Sequence, residues 1–395
     1  MGALDDLRVL EIGTLLAGPF TGRLLGDFGA EVIKIEPPDK EDTMRKWGKR
    51  VDGQGLLWPV QSRNKKSITL NLREKEGQEL FLKLVKTADV VLENFRPGTL
   101  EKWGLGYETL SEVNKGIILL RTSGFGQTGP YSSQAGFGSV GEAMGGLRYV
   151  TGYPDRPPTR IGISIGDELA GVFATIGCLT ALHERERSGH GQVVDTAIYE
   201  AVFAMMEGII PEYDLTGHIR ERTGNIIPGV APSNIYETKD GFVVMGANAD
   251  NVFKRLCQAM EQPELATNEK FATHISRGEH QEELDSLINE WAKEWGTEPL
   301  LNLLNENGIP AGKIYNAKDM MEDIHFQARD MILKKIHPTL GELKIPGIVP
   351  KLSRTPGEVK TLGSTKLGEH NQEVYINLLG LSQETLEKLK NRNII

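Results

Sequence analysis

Cysteine is nearly absent: Cys178 and Cys257 are the two in 395 residues, and neither sits in a C-x-x-C pair or beside a histidine. That excludes a disulfide framework and a thiolate metal site, and both read as reduced packing residues. The eight histidines form no H-E-x-x-H or other ligand-spaced set, so no metal is expected. No G-x-S-x-G elbow occurs, and no serine or cysteine has an activating base near it in sequence. Basic charge is scarce too, with 45 Lys and Arg against 54 Asp and Glu and a net charge of −9. Broad nucleic-acid or anionic-membrane binding needs the opposite field. No apolar run reads as a bilayer span. The start, Met1-Gly2-Ala3-Leu4-Asp5-Asp6, lacks a basic stretch followed by an apolar one, and Asp6 spoils a myristoylation match. A cytoplasmic location is the expectation.

What is present is an ordinary globular composition, 39% hydrophobic and 25% charged, over a length that suits two domains. Strand-like runs at 8–12, 31–35, 67–72, 89–93, 117–122 and 192–195 alternate with helical patterns at 20–28, 76–86, 107–114 and 168–187. This alternation predicts an α/β fold, a parallel sheet covered by helices. Ligands of such folds bind at the carboxyl ends of strands, so loops 13–19, 94–98 and 123–130 are placed on the binding edge. After Glu207 the texture changes. A Pro/Gly/Asn-rich stretch at 225–232 precedes a hairpin at 235–244 turned on Asp240-Gly241, then helices at 249–260, 279–294 and 297–307. Residues 332 onward read as a strand-rich return segment whose tail, 367–395, ends in a charged amphipathic helix. The expected division is a large domain over 1–207, a smaller α+β domain with its linkers over 208–331, and a C-terminal segment, 332–395, returning to the large domain.

Gly124 to Gly129 and Gly136 to Gly141 both match G-x-G-x-x-G. The first runs into Pro130 rather than a helix and the second has no strand before it, so neither predicts dinucleotide binding. Gly13 to Gly18 has P-loop glycine spacing but lacks the Lys and Ser/Thr that hold phosphates. Arg63-Asn64-Lys65-Lys66 and Arg73 bracket one strand as a basic cluster, which also fits a solvated face. Asn94-Phe95-Arg96-Pro97-Gly98 joins an amide, an aromatic face and a guanidinium, which suits an adenine and phosphate ligand.

The chemistry centres on Asp167, set between Gly162, Gly166 and Gly171 where a long apolar helix begins. Leu169, Val172, Phe173, Ile176, Leu179 and Leu182 are spaced as its buried face. The free N–H groups and dipole of that helix end would hold the carboxylate as an anion. Gly166 leaves room for a bulky electrophile. An aspartate there also serves as an N-cap, and the segment alone leaves both roles open.

Taken in order, Leu10-Glu11-Ile12-Gly13 through Gly18-Pro19, Gly29 to Glu36, Asn64 to Ile68, Glu93 to Gly98, Gly124 to Pro130, Gly166-Asp167 and Gly189-His190-Gly191-Gln192 resemble the family III CoA-transferases (CaiB/BaiF type) over nearly the whole chain. Gly308-Ile309-Pro310 and Leu367-Gly368-Glu369-His370 fit as well. The resemblance implies a Rossmann-like large domain completed by the C-terminal segment, a smaller domain, and a homodimer of interlocked chains. It implies coenzyme A as substrate and product thioester, with no metal, nicotinamide or flavin. Asp167 would be the nucleophile that carries the acyl group as an anhydride. The CoA site would comprise Leu16, Ala17, Leu70, Asn71, Leu72, Arg73, Asn94, Phe95, Arg96, Lys102, Ala135, Gly136, Phe137 and Gly138.

Formyl-CoA transferases of this family carry an arginine, a glutamine and a glutamate where Pro37, Leu16 and Gly138 stand here, and a tetraglycine loop with no counterpart. The racemase branch has a proton-shuttling histidine where this chain has Phe137, and a phenyl ring moves no protons. A carnitine-type transferase and a non-catalytic CoA-binding protein are further alternatives. Thr43-Met44-Arg45-Lys46-Trp47-Gly48 resembles the branch acting on small dicarboxylates such as succinate. The expectation is a CoA-transferase using a dicarboxylic acyl-CoA, with Arg45, joined by Arg148 or Arg160, pairing with the distal carboxylate.

Overall fold

The computed structural model describes residues 2–395. Its centre is a six-stranded sheet of β1 (Arg8–Glu11), β2 (Glu31–Glu36), β3 (Lys65–Thr69), β4 (Val90–Glu93), β5 (Ile118–Ser123) and β6 (Val193–Ala197). The spatial order is β3-β2-β1-β4-β5-β6 and every pairing is parallel. The chain thus winds outward from β1 in one direction and from β4 in the other, leaving a crevice where the order reverses.

Alternation along the strands explains the two cores. Leu10, Ile33, Val91 and Leu119 point to one face, where Leu80, Phe81 and Leu84 of helix α2 (Lys75–Val85) and the C-terminal Tyr375, Leu389 and Ile395 cover them. Val9, Val32, Leu92 and Leu120 point to the other, against Leu25 of α1 (Ala17–Asp27) and Cys178 and Leu182 of α4 (Ile165–Ser188). The C-terminal segment runs along the edge strand. The Ser67 N–H donates to His370 Nδ1 at 3.1 Å, the Thr69 N–H to Asn371 Oδ1 at 2.8 Å, and the Tyr375 hydroxyl to the Thr69 carbonyl at 2.6 Å. Between β5 and α4 comes the short helix α3 (Gly138–Met144), and α5 (Ile198–Phe203) follows β6 directly.

Helix α4 corrects two expectations. By length and composition it could cross a membrane, unlike any run read from the sequence. Its buried face is mostly the small-residue one: Gly166, Ala170, Gly171, Ala174, Cys178 and Ala181 are buried together with Leu182, and Leu169 and Phe173 pack partly buried against a core cluster, while Val172, Ile176 and Leu179 are 40%, 52% and 43% exposed. The small residues win that face because α1 approaches closely, with a Cβ at Gly171 falling 2.7 Å from the Phe20 ring.

The chain divides into two compact units, one of Met1–Arg148, Arg160–His218 and Gln327–Ile395, the other of Tyr149–Thr159 and Ile219–Phe326. The second unit has its own antiparallel sheet: β7 (Ser233–Thr238), β8 (Gly241–Gly246) and β9 (Ala311–Lys313), with β8 central. Tyr236, Phe253, Leu284 and Leu300 form its core. The buried Arg277 ties its loops by donating to the Ala231, Phe271 and Asn248 carbonyls and to Asp250.

Candidate active site

At the reversal between β1 and β4 lies a cleft of about 380 Å³. Its walls are the loop after β1 (Thr14 to Ala17), the loop after β4 (Asn94 to Pro97), the end of β5 (Thr122 to Gly124) and the approach to α3 (Gly136 to Gly138), with Asp167 among them.

The first wall is built by force. Leu15 has φ of 63°, a left-handed conformation that a leucine avoids unless its surroundings impose it. They do so from both sides. Asn94 clasps the preceding residue like a strand edge, its Oδ1 accepting from the Thr14 N–H at 2.7 Å and its Nδ2 donating to the Thr14 carbonyl at 2.8 Å. Asp42 accepts the Leu15 N–H at 3.2 Å, and Asp42 is itself gripped by buried Lys34 at 2.7 Å. Lys34 also donates to the Gly13 carbonyl and faces Glu11 at 3.4 Å. Burial pushes the Lys34 ammonium toward neutrality, but Asp42, Glu11 and Glu36 outweigh it and hold its pKa above the ordinary lysine value. Lys65, equally buried, pairs with Glu11 at 2.7 Å; burial, reinforced by Lys34, still brings it down to about 8.

Asp167 lies in the first turn of α4, behind the N-cap Ser164. Its carboxylate has no hydrogen-bond or ion-pair partner among the described residues. Gly138 makes the space: a Cβ there would overlap the Asp167 carboxylate. The helix end was expected to hold this group as an anion, and at neutral pH it is still mostly ionised, but its pKa is shifted upward rather than downward. Burial, then the nearby Glu142 and Glu168, push its pKa up to about 6. Desolvation and like charge exceed the dipole here, so the carboxylate is more basic than an ordinary aspartate.

Of the expected CoA-site residues, Leu16, Ala17, Asn94, Phe95, Arg96, Gly136, Phe137 and Gly138 line this cleft together with Asp167. Leu70 and Leu72 are in the core beneath the sheet end, half-buried Asn71 accepts the Arg73 N–H, and Arg73, Lys102 and Ala135 stand exposed outside the cleft wall. Asn94 lines the cleft while its amide also holds the Thr14 backbone. Arg45 is corrected more sharply. It is 7% exposed, paired with Glu36 at 2.6 Å, hydrogen-bonded to the Ser364 carbonyl, and stacked on Trp58 at 4.1 Å. Its guanidinium has no free face for a substrate carboxylate. Arg148 is paired with Glu142, and exposed Arg160 donates to the Ile161 and Ile163 carbonyls of its own loop. Trp47 of the 43–48 motif and Ser123 of the 123–130 loop also line the cleft, as does Gln134, which nothing in the sequence marked. The props Lys34 and Asp42 were also missed, although a lysine and a glutamate inside the apolar run Glu31–Glu36 were a visible signal of buried charge.

A doubly wound parallel sheet that opens a cleft at its reversal point, with one unpartnered carboxylate in the lining, has the ligand site of an α/β enzyme. The chain belongs to CoA-transferase family III, whose model matches residues 4–371, and it is a CoA-transferase. It is 61% identical, over 99% of its length and 98% of the relative's, to a succinyl-CoA:D-citramalate CoA-transferase of Chloroflexus aurantiacus. A succinyl-CoA:mesaconate CoA-transferase of Haloarcula marismortui is 40% identical, with 95% of this chain and 96% of that one covered. Among solved structures, a CaiB/BaiF family protein from Brucella suis superposes with a TM-score of 0.83 at 36% identity, covering 95% of this chain and 99% of that one.

Proposed function

We propose that this enzyme moves CoA from a small dicarboxylic acyl-CoA such as succinyl-CoA to a small dicarboxylic acid of the citramalate kind, with Asp167 as covalent relay. One observation carries the reading: a carboxylate without protein partners, kept clear by Gly138, sits in the cleft that the matched CoA-site motifs line. The relatives that act on succinyl-CoA supply the substrate class.

The steps balance without an outside reactant. Asp167 attacks the thioester carbonyl, the C–S bond breaks, and CoA leaves as a thiolate from a mixed anhydride. The thiolate attacks the aspartyl carbonyl, freeing the donor acid and leaving an aspartyl-CoA thioester. The acceptor carboxylate displaces the thiolate again, and the thiolate then takes the new acyl group and restores Asp167. Each intermediate hydrolyses in water, so a cleft walled by Leu15, Trp47 and Phe137 protects the route.

The working form is a homodimer in this reading. Val172, Ile176 and Leu179 present one exposed apolar face of α4, more than an isolated chain leaves open to water without reason.

The test is to incubate the protein with succinyl-CoA and a panel of carboxylates and score new CoA thioesters by mass, for wild type and Asp167→Ala. Wild type should favour dicarboxylates, and the variant should lose exchange while still binding CoA. Exchange surviving in Asp167→Ala would refute the covalent route.

A further inference from the structure

We infer that Glu142 and Arg148 form an electrostatic lever on Asp167: Glu142 drives acylation of the aspartate, and Arg148 limits that push so that the aspartate still ionises. The inference rests on Asp167 being the acylated group. Gly138 and Glu142 are four residues apart on α3, hence on one face of the helix. At Gly138 that face meets the Asp167 carboxylate. One turn on, the Glu142 stem lies against the backbone just before it, since a Cβ on Gly166 would fall 3.0 Å from Glu142 Cγ. Glu142 is 2% exposed, and its ion-pair partner among the described residues is Arg148, with Nε and Nη2 each 3.1 Å from Oε2.

A buried carboxylate beside the reacting one has a directional effect. When Asp167 attacks the thioester, its negative charge leaves with the sulfur of CoA and the aspartyl oxygen becomes part of a neutral anhydride. Repulsion from Glu142 is present before that step and relieved after it, which favours the acyl-enzyme. Unopposed, the same repulsion would keep Asp167 protonated and unreactive. Arg148, ending the short helix 147–150, cancels part of it. The other charged groups on neighbouring elements are placed differently. Glu168 follows Asp167 on α4 and interacts with Arg23 of α1. Glu200 of α5 accepts the Ala197 N–H, Asp195 of β6 the Gln127 N–H, and Arg121 of β5 is held by Glu93 and Glu101. The raised pKa of Asp167, with Glu142 the foremost neighbouring charge behind it, agrees with this geometry.

The experiment is the pH profile of kcat/KM for succinyl-CoA in wild type, Glu142→Gln, Arg148→Gln, Arg148→Lys and the double Gln variant, with hydroxylamine trapping of the acyl-enzyme read by peptide mass. The acid limb should move down by about one pH unit in Glu142→Gln and up by about one in Arg148→Gln. Arg148→Lys should restore most of the shift, and the double variant, which loses both opposing charges, should return the limb close to its wild-type position. If Arg148→Gln does not fold, the Glu142→Gln limb decides. A uniform loss of activity with no movement of the limb in either single variant would overturn the lever while Asp167 hydroxamate still forms. Absence of hydroxamate on wild-type Asp167 would overturn the covalent reading and the lever with it.

Discussion

At the residue scale, Asp167 is a group whose usefulness and stability oppose each other. Its pKa of about 6 against an ordinary 3.8 means the folded state binds its proton more tightly than the unfolded chain does. That stabilisation is complete below pH 3.8 and is lost as the pH rises through about 6, the range in which the reactive anion forms. Exchange activity should therefore climb through an acid limb near pH 6 and level off above it. Replacing the group with a neutral isostere removes the penalty. Asp167→Asn should melt higher than wild type at pH 7.5, by the equivalent of about 1–3 kcal/mol once partial solvent screening is allowed for, and should melt alike near pH 4. Paired thermal melts at the two pH values check this. A stabilisation that persists unchanged at pH 4 would show that something other than the charge is responsible.

At the scale of elements, the strands were legible because a parallel sheet buried on both faces needs near-continuous Val, Ile and Leu, and runs such as 89–93 and 117–122 have it. The β3 strand was misplaced toward its C-terminal end, since Lys65 and Lys66 look like loop residues until Glu11 and Glu31 are brought opposite them. The carboxylate at the start of α4 and the two cleft loops were legible too, because glycine and turn chemistry mark them locally. Partnership was not: whether an arginine is free or held depends on residues far along the chain. Arg45 shows this. Glu36 on β2 and Ser364, about three hundred positions away, occupy its donors. Arg45→Ala should consequently act on stability rather than on substrate choice. It strands Glu36 in the interior, which costs about 3–5 kcal/mol, and any activity that remains should fall equally for mono- and dicarboxylate acceptors. Denaturant unfolding alongside the acceptor panel separates the two effects. A selective loss of dicarboxylates at unchanged stability would return Arg45 to the substrate.

At the scale of the whole molecule, the least legible feature was which side of α4 faces inward. Hydrophobic periodicity marks the apolar stripe but not what covers it, and here the chain's own core takes the small residues while Val172, Ile176 and Leu179 face outward. If the homodimer proposed above covers it, these three side chains should be among the strongest contributors to assembly. A charge placed at Ile176, 52% exposed in the single chain, would then be buried on association. Ile176→Glu should shift sedimentation from dimer toward monomer or leave the protein insoluble, whereas Lys390→Glu, on the exposed C-terminal helix, should leave the dimer intact. Interlocking adds a sharper expectation. If the two chains pass through one another, dilution of the wild type to nanomolar concentration should yield no folded monomer, and subunit exchange should run only as fast as unfolding. Mixing differently tagged dimers in rising denaturant measures both rates, and exchange far below the unfolding midpoint would mean that the chains meet face to face without threading.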